Sequence, residues 1–156
     1  MPVQKLREFL DANRIRYVVI THSPAHTAQE IAASAHIPGR EMAKTVIVKL
    51  DGQLAMAVLP ASELVDLPLL ADAAFARTAE IAEEKEFRDR FPDCELGAMP
   101  PFGNLYGMEV YVADDLTGDE EIAFNGGSFT ELVRMTYADF ARLVKPRILR
   151  FGVRAR

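Results

Sequence analysis

A β-hairpin in the first third of the chain is the feature that most constrains the fold. Residues 42–50 and 53–59 are two runs rich in aliphatic side chains, and the dipeptide Asp51-Gly52 joins them. Asp-Gly between two such runs is typical of a two-residue hairpin turn, because both residues tolerate positive φ. The pattern therefore predicts two paired antiparallel strands.

The rest of the chain mixes helical and strand patterns without a regular βαβ rhythm. Predicted helices cover 3–13, 27–36, 64–75, 82–91 and 137–144, and predicted strands cover 16–20, 77–81, 109–113, 121–124 and 129–135. Thr27 and Glu30 form a capping box at the start of the second helix. We expect one domain over 1–156 of the α+β (irregular α/β) class, with helices around a mixed, mainly antiparallel, curved sheet and a basic C-terminal tail at 145–156.

The stretch 97–103, Gly-Ala-Met-Pro-Pro-Phe-Gly, predicts a stiff and irregular loop. Two adjacent prolines do not fit a helix interior or a β-ladder, and the flanking glycines permit backbone angles that other residues resist. Ordinary connections are polar, whereas this loop contains the apolar residues Met99 and Phe102. Such a loop is suited to holding backbone N–H groups around a small ligand.

Lys44 opens the first hairpin strand. The alternation of strand side chains places it on the apolar face that carries Val46, Val48 and Leu50. One interpretation is that the ammonium extends into water. The other is that it lies at the rim of a pocket, where it attracts a phosphate or polarises a carbonyl.

Two further segments carry candidate residues. Asn125-Gly126-Gly127-Ser128 is typical of a hairpin turn, and its glycines would also let the backbone approach a ligand closely. His22 lies in the predicted turn 21–24, where it is either a general base or a structural residue. The chain contains no nucleophile elbow, catalytic triad spacing or phosphate-binding P-loop.

Cysteine usage and charge narrow the function class. Cys94 is the only cysteine, which excludes an intrachain disulfide and suits a reducing cytoplasm, and the three histidines have no metal-ligand spacing. Six basic residues and no acid lie between Arg142 and Arg156, whereas six acids and no base lie between Glu109 and Glu121. The basic tail is either a solvated segment or a surface that receives a polyanion.

Taken in order, these features resemble the YbaK/ProX family, the free-standing relatives of the editing domain of bacterial prolyl-tRNA synthetase. The resemblance spans roughly residues 3–145. It depends most on the Gly-x-x-x-Pro loop, Gly97 and Pro101, combined with the upstream strand lysine, Lys44.

The resemblance implies a cytoplasmic hydrolase without cofactor or metal that deacylates mischarged tRNA at its terminal adenosine, with alanine or cysteine on tRNA(Pro) as the expected acyl groups. Lys44 and Gly97 would be catalytic. The substrate-binding residues would be His22, Met99, Pro101, Phe102, Asn125, Gly126, Gly127 and Ser128, with Met42 and Val46 as further wall candidates. The expected partners are the tRNA acceptor end and a synthetase. The alternative is a non-catalytic module that binds aminoacyl-tRNA or a synthetase.

Overall fold

The computed structural model describes residues 3–22, 28–35 and 37–154. Within them the chain forms five α-helices and ten β-strands. The helices are α1 (Gln4–Ala12), α2 (Ala28–Ser34), α3 (Leu67–Ala73), α4 (Glu84–Phe87) and α5 (Tyr137–Val144). The strands are β1 (Val18–Thr21), β2 (Ala43–Leu50), β3 (Gln53–Pro60), β4 (Glu63–Val65), β5 (Ala79–Ile81), β6 (Glu109–Ala113), β7 (Glu121–Asn125), β8 (Glu131–Thr136), β9 (Arg147–Leu149) and β10 (Gly152–Arg154).

The described strands form three sheets. The largest has the order β5-β2-β3-β6-β9, a second has the order β1-β8-β7, and β10 pairs with β4. β3–β6 and β6–β9 are parallel, and the other pairings within these sheets are antiparallel. The predicted α+β class with a mixed, mainly antiparallel sheet is therefore confirmed.

The predicted hairpin is confirmed as the centre of the largest sheet. β2 and β3 pair over their full lengths, from Ala43↔Pro60 to Leu50↔Gln53. Asp51 and Gly52 have φ values of +50° and +83°, which is the backbone of a type I′ turn. The Asp51 carboxylate also accepts the backbone N–H groups of Arg77 and Thr78, at 2.9 and 3.0 Å. The turn is thereby bonded to the segment that leads into β5.

Three apolar cores surround the sheets. The main core contains Ala43 and Ile47 from one face of β2, together with residues from α1, β7 and β8. The second core contains Val48 and Leu50 from the opposite face of β2. The third core consists of Ile31, Ala32, Ile37, Met42, Ala61, Ala123 and Leu132, with Phe129 packed against it.

Several predicted boundaries are wrong. The predicted helix 64–75 is a short strand, β4, followed by α3; Asp66 caps that helix by accepting the Leu69 N–H at 3.0 Å. The predicted helix 82–91 is α-helical only in α4 and continues as a 3₁₀ turn, Arg88–Arg90. Thr27 and the second half of the turn 21–24 lie outside the described residues, so the capping box stays a prediction.

The basic segment 145–156 is not a free tail over its described part. β9 adds to the edge of the largest sheet beside β6, and β10 pairs with β4. Between them the Phe151 ring is fully buried in the second core, and the Phe151 carbonyl accepts the Asp66 N–H at 2.8 Å. Burial of one aromatic side chain thus anchors the segment.

Candidate functional site

The start of β2 lies beside β7, and this contact sets the geometry of the candidate site. Met42 and Ala123 form an isolated parallel bridge. Lys44 and Asn125 each lie two residues beyond that pair, so strand alternation places both on the face that carries Met42 and Ala123. No other ladder pair joins β2 to β7 in the part of the chain that the structure describes. The two strands therefore separate between Lys44 and Asn125.

Lys44 is a half-buried cation without a close counter-ion. Its side chain shares a face with the second core, as the alternation predicts. It forms no hydrogen bond and no ion pair with any described residue. Burial lowers the pKa of the Lys44 ammonium. The Glu63 carboxylate, which is not within ion-pair distance, opposes that shift through its charge. This environment favours binding of an external anion.

Glu63 is the acidic neighbour of Lys44 and was not a candidate on sequence grounds. The pKa of the Glu63 carboxyl is raised to about 7, chiefly by burial and then by a hydrogen bond to Asp115 and the charges of Asp115 and Asp114, while Lys44 opposes the shift. Its Oε1 atom is buried and has no hydrogen-bond partner in the described residues. Glu63 thus lies between the Lys44 cation and the carboxylates of Asp114 and Asp115 in its electrostatic environment.

Asn125 presents an unsatisfied polar group. The residue is only 7% exposed, and its Oδ1 atom has no hydrogen-bond partner among the described residues. Its cross-strand partner is Leu132, which packs in the third core with Ala123. A buried carboxamide oxygen without a donor costs about 1–3 kcal/mol, so its retention points to a ligand that supplies the donor.

The loop 97–103 lies against Phe129. Gly97 has φ +94°, and a Cβ atom there would lie 3.1 Å from Cζ of Phe129. The Gly97 N–H donates to Sδ of Met99 at 3.1 Å, and a thioether is a weak acceptor. Pro101 is buried and fixes the loop backbone. Glycine is therefore required at position 97 both for its backbone angle and for the close approach of the ring.

Backbone hydrogen bonds join the loop 97–103 to the glycine turn. The Gly127 N–H donates to the Ala98 carbonyl at 3.0 Å, and the Glu95 N–H donates to the Gly127 carbonyl at 2.8 Å. The Glu95 carboxylate accepts the Phe129 N–H at 2.7 Å. These contacts hold the loop beside the end of β7.

His22 and Ser128 lie at the same turn. The His22 backbone N–H donates to the Thr130 carbonyl at 2.9 Å, and the Ser128 hydroxyl lies 3.4 Å from that of Thr130. Gly126 and Gly127 are buried, and the Gly126 N–H donates to the Glu131 carbonyl at 3.1 Å. The segment is therefore the packed end of the β7–β8 hairpin, which is one of its two interpretations from the sequence.

The structure separates two wall candidates from the others. Met99 and Phe102 pack in the main core, whereas Met42 and Val46 lie on the face of β2 that carries Lys44. The Phe102 ring is fully buried, with ring centroids of Phe124 and Phe140 both at 5.5 Å. We therefore give Phe102 a packing role. The apolar character of Phe102 in the sequence was consistent with this role, because an apolar loop residue can fill a core as readily as it can line a pocket.

Cys94 and the acidic groups offer little further chemistry. Burial raises the pKa of the Cys94 thiol to about 12, so the thiol stays protonated and a poor nucleophile near neutral pH. Within residues 3–22, 28–35 and 37–154, no group of three or more His, Cys, Asp or Glu side chains is placed to hold a metal ion. No helix in those ranges is both long enough and apolar enough to cross a membrane.

Comparison with known proteins places the chain in a family. The model of a family described as the aminoacyl-tRNA editing domain matches residues 22–143. Among solved structures, hypothetical protein APE2540 superposes with a TM-score of 0.85 at 18% identity, covering 96% of this chain and all of that one. A candidate trans-editing enzyme for prolyl-tRNA synthetase superposes with a TM-score of 0.81 at 18% identity, covering 96% of both chains. No curated protein matches significantly. The family resemblance of the sequence is thus confirmed.

Proposed function

We propose, because the chain belongs to the aminoacyl-tRNA editing domain family, that it hydrolyses the ester of mischarged aminoacyl-tRNA. It would act in trans, without a metal, on tRNA(Pro) that carries a small amino acid such as alanine or cysteine. The observation that carries this proposal is Lys44, a half-buried cation without an ion-pair partner among the described residues, two positions beyond the bridge that joins Met42 to Ala123 of β7.

Lys44 is the proposed anion-binding group. An ammonium 4 Å from a unit negative charge gains about 4 kcal/mol at the effective dielectric of a protein surface, and partial burial strengthens the contact. The terminal phosphate of the tRNA and the oxyanion that forms on the ester carbonyl are the two anions that the substrate offers. Binding either of them stabilises the transition state relative to the free enzyme.

Asn125 is the proposed contact for the amino acid. Its buried Oδ1 atom can accept a hydrogen bond but cannot donate one. The α-ammonium group of an aminoacyl ester supplies such a donor. Ala123 and Leu132 of the third core lie on the same face as this carboxamide and would form the apolar surroundings of the amino-acid side chain. Size exclusion of one methylene contributes about 1–3 kcal/mol, which suits an editing sieve.

Gly97 and its loop would bind the carbonyl end. Among the described residues the Gly97 N–H donates only to the Met99 sulfur, so a carbonyl oxygen carrying developing charge is a better acceptor for it. Phe129 lies against Gly97 and joins the loop to the third core. Pro101 and the hydrogen bonds from Gly127 keep the loop from moving when the substrate binds.

The reaction needs no covalent intermediate, because an aminoacyl ester is already activated. A water molecule attacks the carbonyl carbon, and its oxygen forms the new bond as the carbonyl becomes an oxyanion. The bond to the ribose oxygen then breaks, and the proton of the attacking water passes to that oxygen. The products are a free amino acid and uncharged tRNA. The vicinal ribose hydroxyl of the substrate can relay the proton, so this step does not require an enzymic base.

The test is a deacylation assay on a panel of mischarged tRNAs, with Lys44→Met and Lys49→Met compared. Lys49 lies on the opposite face of the same strand and pairs with Glu80 and Glu86, at 3.4 and 3.2 Å, so it is a matched control. We expect Lys44→Met to lower kcat/KM about 10²–10³-fold and Lys49→Met to leave it nearly unchanged. Equal rates in the wild type and in Lys44→Met would refute the catalytic assignment. Binding without release of amino acid would favour the non-catalytic module.

A further inference from the structure

The C-terminal segment 145–154 forms a fixed cationic edge. β9 is the outer strand of the largest sheet, and β10 is held against β4 by the register Gly152↔Val65 to Arg154↔Glu63. The buried Phe151 ring lies between the two strands and packs in the second core. Charges on this segment are therefore presented at set positions, whereas a free tail would scatter them.

Four cations of this segment are available to an external anion. Lys145, Arg147, Arg150 and Arg154 are exposed, and none forms an ion pair with a described residue. Arg142 is different, because it pairs with Asp139 at 3.2 Å. The Arg147 guanidinium lies 5.6 Å from the Tyr111 ring centroid. It also lines a cavity of about 240 Å³ with Lys145, Glu109 and four other residues, so one acid opposes two cations there.

The cationic edge leads to Lys44. Arg154 is the direct cross-strand partner of Glu63, whose carboxylate acts on the Lys44 ammonium. Glu63 also packs on Gly152, where an added Cβ atom would overlap its Oε1 atom. The glycine thus lets β10 lie close to the acidic neighbour of Lys44. The chain of contacts runs from Lys44 through Glu63 to β10, and along the segment to Lys145.

We propose that the cationic edge, residues 145–154, binds backbone phosphates of the RNA stem whose acylated end reaches Lys44. This inference rests on the proposed function, and it adds a docking surface to it. RNA is favoured over a protein partner because the segment from 140 to 156 contains no acid, as a phosphate-binding surface requires. Ile148 is exposed, but strand alternation places it on the face of β9 opposite to Arg147. The exposed aliphatic pair Leu64 and Val153 lies on the face of the β4–β10 ribbon opposite to Arg154.

The test measures how binding of an uncharged acceptor-stem RNA hairpin ending in CCA depends on salt. The variant is Lys145→Gln/Arg150→Gln/Arg154→Gln, which spares Arg147 because of its contact with Tyr111. The control is Arg77→Gln/Arg88→Gln/Arg90→Gln, which removes the same charge from exposed positions. Arg77 and Arg90 lie near the β2–β3 turn, at the opposite end of β2 from Lys44.

Each phosphate contact contributes about 0.7–0.9 to the slope of log Kd against log salt concentration. We expect the variant to lose about 2–3 from that slope and the control to retain it. An unchanged slope in the variant, an equal loss in the control, or no binding by the wild type at 50 mM salt would each overturn the proposal. If the triple variant unfolds, Arg150→Gln and Arg154→Gln singly are expected to lose about 0.7–0.9 each.

The two proposals fail separately. Lys44→Met tests hydrolysis and removes at most one phosphate contact, so its salt slope is expected to stay within about one unit of the wild type. The triple variant keeps Lys44 and is expected to retain the single-turnover rate at saturating aminoacyl-tRNA while its affinity falls. Loss of that rate without a change in slope would contradict the docking surface and leave the role of Lys44 intact.

Discussion

Gly127→Ala tests whether the glycine turn clamps the loop 97–103, as its hydrogen bonds indicate. Gly127 has φ +106°, a conformation that costs an L-residue about 1–2 kcal/mol. A Cβ atom there would also overlap Cγ1 of Val3, and Sγ of Cys94 would lie 3.6 Å away. Val3 is β-branched and stiff, so it must leave its packed position, at about 1–2 kcal/mol. We therefore expect a loss of about 2–4 kcal/mol in the free energy of unfolding.

Two other glycines serve as controls that separate the cost of the positive φ from the cost of the overlap with Val3. Gly107 has φ +68° with no atom within 4 Å of an added Cβ, so Gly107→Ala should cost only the backbone term of about 1–2 kcal/mol. Gly118 has neither a positive φ nor a close neighbour, and Gly118→Ala should be neutral or stabilise by up to about 1 kcal/mol. Urea unfolding of the three variants gives these differences directly.

The relative losses of stability in the three variants show whether the Val3 contact and the left-handed backbone both contribute. If Gly127→Ala costs no more than Gly107→Ala, the contact with Val3 carries no energy. If all three variants resemble Gly118→Ala, the left-handed backbone at the turn is refuted. Because the Gly127 N–H and carbonyl hold Ala98 and Glu95, deacylation should fall with Gly127→Ala even at temperatures where the variant stays folded.

Two further predictions concern buried polar groups at the site. Folding raises the pKa of Glu63 from 4.5 to about 7, so the folded state binds more protons in that window and the stability contributed by this group falls as pH rises through it. The free energy of unfolding of Glu63→Gln relative to the wild type should therefore increase between pH 4.5 and 7 and reach about 1–2 kcal/mol above pH 7 after solvent screening. Thermal unfolding at several pH values measures this difference. A difference that does not change with pH would contradict the prediction. Asn125→Leu should raise the free energy of unfolding by about 1 kcal/mol, because it removes a buried oxygen without a hydrogen-bond partner among the described residues. Deacylation should fall, because the same oxygen is the proposed contact for the amino acid. A loss of stability in urea unfolding would show that the oxygen is satisfied in the folded protein.

Local chemistry in the sequence determined several elements. Asp51-Gly52 specified the hairpin because a two-residue turn with positive φ at both positions accepts few other dipeptides. Thr136 is a residue type that favours the N-cap position of a helix, and its hydroxyl accepts the Asp139 N–H at 3.2 Å at the start of α5. Alternation along β2 placed Lys44 on the correct face. Each of these inferences uses residues only a few positions apart, where geometry is set by the backbone itself.

Tertiary structure decided what depends on distant residues. The basic segment is a pair of strands because Phe151 finds a core and β4 and β6 offer free edges, none of which is visible in 145–156 alone. Phe102 is a core residue because three aromatic side chains from elsewhere in the chain meet its ring. Asn125 becomes an unsatisfied polar group, and Glu63 the neighbour of Lys44, only when strands far apart in sequence pack together. Burial and electrostatic coupling are properties of that packing, and a linear pattern does not contain them.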